Sequence, residues 1–241
     1  QHREKRNLSS LFVPPAEGGG MEINMINRSN NPELIVTVCH ALESVRTKKP
    51  LVDCITNFVT VNDCANIILA AGGSPSMAED IREVAESAAG ADALVCILGA
   101  IYRVDSMIIG GKSAATANKP VILDPVAAGN TALRRRESAM LLENVHFSVI
   151  RGNASEIKAL ALSTASGSGV DVSAADSINE DSLPAAINTA KLLSTKTGAV
   201  IAVSGPIDII TDGTQTVLLR NGCSLMSRIT GSGCMLTSLI G

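Results

Sequence analysis

Short apolar runs closed by polar or glycine-bearing turns alternate along this chain with longer segments of helical period. That alternation is what crossover units of a parallel sheet need when helices cover both faces. The runs expected as strands are Leu51 to Ile55, Ala93 to Leu98, Pro120 to Leu123, Phe147 to Ile150 and Ala199 to Val203. Helix-sized segments with apolar residues three and four apart lie between them: 63–70, 79–89, 106–117, 132–142, 155–162 and 183–194. Near the end, Ile207 to Thr211 and Thr216 to Leu219 flank Asp212-Gly213, a hairpin signal that adds an antiparallel edge. The expected class is therefore α/β, a mostly parallel central sheet in a three-layer αβα arrangement. No Trp, one Tyr and three Phe occur, so the core has to be built from Ala, Val, Ile and Leu.

Composition removes several functions. Lys and Arg number 20 against 23 acidic residues, for a net charge of -3, which gives no electrostatic footprint for nucleic acid or an anionic membrane. The scarcity of aromatics removes stacking platforms for single strands as well. Apolar stretches stop well short of the roughly 20 residues of a bilayer crossing. Six cysteines form no C-x-x-C pair and no zinc spacing with histidine, and Cys96 lies inside an apolar run. Free thiols of this kind point to a reducing compartment, with the cytoplasm as the simplest address. The polar, turn-rich residues 1–32 read as a disordered leader, with Met21 a candidate start, ahead of a single domain over residues 33–241. The apolar run broken off at Gly241 reads as a truncated carboxyl end.

In an open sheet of this kind ligands sit beyond the carboxyl ends of the strands, where helix amino termini also point. At that rim Thr230-Gly231-Ser232-Gly233-Cys234 forms a glycine-rich turn feeding a helix. Backbone amides of Gly231, Ser232 and Gly233 could cradle a phosphate, helped by about half a positive charge from the helix dipole. An ordinary glycine-bearing helix start is an equal reading of these residues alone. Cys234, in the first turn, is expected to have a lowered thiol pKa and to be available as a base or nucleophile, against the alternative of a buried structural cysteine. Asp124 closes a strand and Glu156 opens a helix, a carboxylate pair suited to a hydrated Mg²⁺ bridging a nucleotide. The competing readings are a turn-forming Asp before Pro125 and a capping box between Glu156 and Asn153. Arg151 suits bidentate phosphate contact, although ion-paired arginines are common at strand ends. Ser106 to Ser113 mimics a Walker A loop, but its apolar period is that of a helix and Ser106 stands where the first glycine belongs.

Taken in order, Ile55-Thr56-Asn57-Phe58-Val59, Ala71-Gly72-Gly73-Ser74-Pro75-Ser76-Met77, Ile122 to Val126, Ile150 to Glu156 and Thr230 to Cys234 resemble the hydroxyethylthiazole kinase family. The resemblance runs from about Leu51 to Gly241 and does not cover the leader. It implies a ribokinase-like fold, MgATP as phosphoryl donor and 4-methyl-5-(2-hydroxyethyl)thiazole as acceptor, giving the phosphate used in thiamine synthesis. By the same resemblance Asn57, Val59 and Met77 would line the thiazole pocket, with Gly231 beside the alcohol. Arg151 and Ser204 would contact ATP, Asp124 and Glu156 would hold magnesium and its waters, and Cys234 would stand where wider relatives have an Asp base. Ser204 replaces the usual Thr and keeps the hydroxyl, while Ser232 replaces a frequent Ala. A homotrimer with active sites at subunit boundaries is also implied. Two alternatives remain open: a ribokinase-like kinase for another vitamin-precursor alcohol, and a catalytically silent, truncated thiazole-binding subunit. A nicotinamide enzyme is disfavoured, because no G-x-G-x-x-G follows the first strand.

Overall fold

Strand β4 (Ala93–Ile97) shows why the chain layers as it does. All five residues are buried, and they alternate between two separate apolar clusters. Leu94 and Cys96 point into one cluster, and Ala93, Val95 and Ile97 into the other. A strand apolar on both faces is stable only with helices on both sides. The computed structural model describes residues 24–26, 32–164 and 178–241. Among these, nine strands form one sheet. They are β1 (Asn24–Ile26), β2 (Leu51–Ile55), β3 (Ser74–Ser76), β4, β5 (Val121–Asp124), β6 (Val149–Asn153), β7 (Val200–Ser204), β8 (Asp208–Thr211) and β9 (Thr216–Leu219), in the order β1-β9-β8-β7-β6-β5-β4-β2-β3. Every pairing is parallel except those that β8 makes with β7 and β9, the antiparallel edge expected around Asp212-Gly213.

The helices are α1 (Pro32–Lys48), α2 (Val61–Ala71), α3 (Val84–Gly90), α4 (Val104–Thr116), α5 (Ala132–Asn144), α6 (Ala154–Thr164), α7 (Leu183–Thr197) and α8 (Ser232–Ile240). Helices α3 to α7 supply Val84, Met107, Leu141, Leu160 and Leu193 to the larger cluster, whereas α2 and α8 bring Cys64, Ile68 and Cys234 to the smaller one. This is the three-layer α/β architecture expected. Met107, fully buried on α4, is a measure of what holds it: removal to Ala would cost about 2–5 kcal/mol.

The Walker-like segment is helical. Its glycines serve packing: a Cβ on Gly111 would lie 2.5 Å from Val145, and Lys112 turns outward to Asn144. Three expectations shift. The helix expected over 79–89 begins only at Val84, because the Asp80 carboxylate binds the backbone and guanidinium of Arg82 and holds a turn there. Helix α1 and strand β3 are not among the expected elements and appear as additional ones. Within the expected leader, residues 24–26 pair with β9 and Pro32 opens α1; the remainder of 1–32 lies outside the described residues. No helix among the described residues is long and apolar enough to cross a membrane.

Candidate active site

The sheet brings Asp124, Arg151 and Ser204 to one rim, since β5, β6 and β7 are neighbours: Asp124 and Ser204 close β5 and β7, and Arg151 lies two residues before the end of β6. Arg151 organises this side. Its Nη2 donates to Ser204 Oγ at 2.6 Å and its Nη1 to Asp124 Oδ2 at 3.4 Å. Thr237 of α8 donates to the same Oδ2 at 2.7 Å. Both partners converge on Oδ2, so Oδ1 is the oxygen of Asp124 available to a further ligand. Burial pushes the Asp124 carboxyl up to about 6, against the pull of Arg151 and Thr237 and with a smaller push from Glu156. Desolvation outweighs the ion pair because the contact to Arg151 is long.

The glycine-rich turn is built around that guanidinium. Gly231 caps α8 at φ 76, and a Cβ there would meet Thr60 at 2.6 Å, so both conformation and space demand glycine. A Cβ on Gly233 would lie 2.5 Å from Arg151 Nη1. No side chain caps this helix start. The amides of Gly233 and Cys234 therefore remain available to an anion, directly above an arginine whose Nε is buried without a partner among the described residues. A cavity of about 750 Å³ opens against Arg151, Ser204, Ser232 and Gly233, with Arg220 and Met226 on its far wall. Its size suits a nucleotide-sized ligand.

Glu156 does first what its competing reading described. Its Oε2 accepts from Asn153 N at 2.8 Å while Asn153 Oδ1 accepts from Glu156 N at 2.9 Å, a reciprocal cap. Its Oε1 accepts from Ala127 N at 2.9 Å, and Ala127 has a φ of 56, rare for a residue with a side chain. The carboxylate thus pins a strained turn three residues beyond Asp124.

Cys234 departs from expectation. It is 8% exposed, and burial, reinforced by the Asp124 charge, pushes its thiol up to about 11. The helix start does not lower it, because desolvation of the thiolate exceeds the dipole's help. The thiol is protonated near neutral pH.

Among the residues expected on the acceptor side, Asn57 Oδ1 accepts from Val59 N at 3.0 Å, forming the turn into α2, and the Asn57 amide lies so close to Gly99 that a Cβ there would be 2.5 Å away. Met77 is half-buried against the smaller cluster. Val59 is 55% exposed and the adjacent Phe58 81%. Gly231 backs onto Thr60 and so joins the two sides of the rim. Thr237, Arg220 and Met226 were not anticipated from sequence; the one signal available was Thr237, one helical turn beyond Gly233 on the same face.

The geometry accords with wider comparison. Residues 42–241 match the model of the hydroxyethylthiazole kinase family. The chain is 50% identical over 202 residues to the hydroxyethylthiazole kinase of Desulfovibrio desulfuricans, covering 83% of this chain and 71% of that one. It is 45% identical over 221 residues to that of Methanobrevibacter smithii, covering 88% and 77%. Among solved structures, the hydroxyethylthiazole kinase protein of Pyrococcus horikoshii OT3 superposes with a TM-score of 0.75 at 35% identity, covering 86% of this chain and 75% of that one. With a match of this extent and a phosphate-ready helix start set over Arg151, the chain belongs to the hydroxyethylthiazole kinase family.

Proposed function

We propose that this chain transfers the γ-phosphoryl group of ATP to the hydroxyl of 4-methyl-5-(2-hydroxyethyl)thiazole, forming the phosphate ester used in thiamine biosynthesis. The observation that carries the proposal is the uncapped start of α8, whose Gly233 and Cys234 amides sit over the partly unsatisfied Arg151. These donors hold the transferred phosphoryl oxygens, and Ser204 keeps the guanidinium aimed at them. In a loose phosphoryl-transfer transition state such positioning supplies most of the acceleration.

Mg²⁺ would be held at Asp124 through Oδ1, with Glu156 reached through water because both its oxygens already accept amides. When bound it would neutralise phosphate charge during transfer. Hard cations of this kind keep several waters and need few protein ligands, so the second oxygen of the Asp124 carboxylate is a sufficient protein contribution.

Asn57, Val59 and Met77 are the wall for the thiazole ring, with Gly231 beside its alcohol. Cys234 closes the acceptor side as a neutral thiol, so the alcohol's proton leaves late, to a phosphate oxygen or to water. The exposure of Phe58 and Val59 on this wall supports a homotrimer in which a second copy covers the pocket. Free cysteines throughout the described residues fit a cytoplasmic address.

Incubation with MgATP and the thiazole alcohol, followed by mass spectrometry, should yield the phosphate ester. Nucleotide hydrolysis without ester would favour another alcohol. Thiazole binding without turnover would favour a silent binding subunit.

A further inference from the structure

The rim is not the only place where a carboxylate has been buried. Asp53 lies in the middle of β2, fully buried between Val52 and Cys54, and no Lys or Arg pairs with it among the described residues. Placing a carboxylate there costs stability unless its oxygens are well used. They are used on one segment. Oδ1 accepts from Ala78 N at 3.0 Å, and Oδ2 accepts from Ser87 Oγ of α3 at 2.7 Å.

Strand β3, which delivers the chain to Ala78, is a poor anchor by itself. It has three residues, pairs only with β2 at the edge of the sheet and carries Pro75, which has no amide to donate. Met77 follows it with an apolar side chain, half-buried against the smaller cluster. The residues just after it are tied down instead: Ala78 by Asp53, and Glu79 by an ion pair of 2.8 Å to Arg103, whose guanidinium lies 5.3 Å over the Tyr102 ring. The first of these ties ends on the fully buried Asp53 carboxylate, whereas Arg103 and Glu79 have side chains 37% and 33% exposed, which makes their pair weak.

We propose that Asp53 is a positioning residue for the acceptor substrate: its buried carboxylate clamps the amide of Ala78 and the hydroxyl of Ser87, and so fixes Met77 against the thiazole ring. This deepens the reading above and rests on Met77 lining the acceptor pocket. A hydrophobic residue at position 53 would satisfy the core, but it would leave the Ala78 amide without an acceptor and release the segment.

The test uses the full chain with Asp53→Ala, Asp53→Asn, Ser87→Ala and Met77→Ala. Steady-state KM for the thiazole alcohol and for MgATP is measured, with amide hydrogen exchange over residues 77–80. Asp53→Ala should raise the KM for the alcohol about tenfold while KM for MgATP and kcat stay within about twofold, and exchange at 77–80 should accelerate. Asp53→Asn should restore most of the affinity, because its carbonyl oxygen can still accept from Ala78 and its amide can donate to Ser87. Combining Asp53→Ala with Met77→Ala should cost less than the product of the two single effects, since both act on one contact. Faster exchange at 77–80 with an unchanged KM for the alcohol, when Met77→Ala does raise it, would overturn the positioning role. An unchanged KM in Met77→Ala would instead remove Met77 from the pocket and the proposal with it. Loss of MgATP affinity in step with the alcohol would mark Asp53 as a general support of the sheet and count equally against it.

Discussion

On the side of the rim proposed for the nucleotide the side chains of Arg151 and Asp124 are 12% and 2% exposed, and they are bound to each other, to Ser204 and to Thr237. On the side proposed for the acceptor Phe58 is 81% exposed and Val59 55%. One half is preorganised inside a single chain, with polar groups fixed by neighbouring strands and a helix start. The other half presents exposed apolar side chains among the described residues. A phosphate needs donors held in place before it arrives, whereas a small heterocycle needs enclosure, which a second surface can supply. The two halves should therefore fail in different ways.

The largest effect is expected at Arg151. Arg151→Ala removes the donor beneath the α8 amides and leaves the buried Asp124 without its cation, so kcat/KM for MgATP should fall by about 10²- to 10³-fold. The KM for the alcohol at saturating MgATP should stay within about threefold. A parallel rise in both KM values would erase the distinction between the halves. A smaller effect is expected at Val59. Val59→Asp places a charge on the exposed wall and should raise the KM for the alcohol about tenfold, leaving MgATP affinity unchanged. Sedimentation of the same variant checks the assembly: a fall from trimer to monomer at equal concentration ties the open wall to the subunit boundary. Unaltered assembly with a raised KM would assign the wall to substrate alone.

Asp124 offers a test of burial itself. Its carboxyl is held at about 6 in the folded chain against an ordinary 3.8, so the native state holds the proton more tightly. Stability from this group is present at low pH and is lost as pH rises from about 4 through 6, by about 3 kcal/mol in total. Asp124→Asn removes the titration. The difference in Tm between variant and parent, without magnesium, should move in favour of the variant across that window by about 6–12 °C and then level off. A flat difference would mean that Arg151 and Thr237 offset the desolvation.

The fold was legible wherever burial on both faces forces an apolar run, as in β4, and wherever a turn has its own chemistry, as at Asp212-Gly213. It was less legible where a strand is made by its neighbour. Strand β6 continues through Arg151, Gly152 and Asn153 because these pair with Ala202, Val203 and Ser204, and nothing in their hydropathy announces it. Strand β3, Ser-Pro-Ser, is similarly defined by β2. Within the site, the residue types at the rim could be read from the turns that follow each strand. Their states could not. Asp53, Glu156 and Cys234 each depend on how deeply a side chain sits and which amides face it, and both are set by long-range packing.

Cys234 is where that limit has the clearest consequence, and its effect should be the smallest of the series. A thiol at a helix start suggests a thiolate, yet burial and the charge of Asp124 hold this one up to about 11. A base with that value is almost wholly protonated at pH 8, so the kcat profile between pH 6 and 9 should contain no break that Cys234→Ala removes. Cys234→Ala should lower kcat by about tenfold or less through lost contact with the acceptor, with KM for MgATP unchanged, because the amide at this position survives the substitution. Alkylation gives an independent readout. At pH 7.5 iodoacetamide should modify the exposed Cys39 and Cys223 well before Cys234, whose rate should climb with every unit of pH up to 9. Fast, pH-independent modification of Cys234 would mean a thiolate already formed, and would return to this residue the role of base that its position in the sequence first suggested.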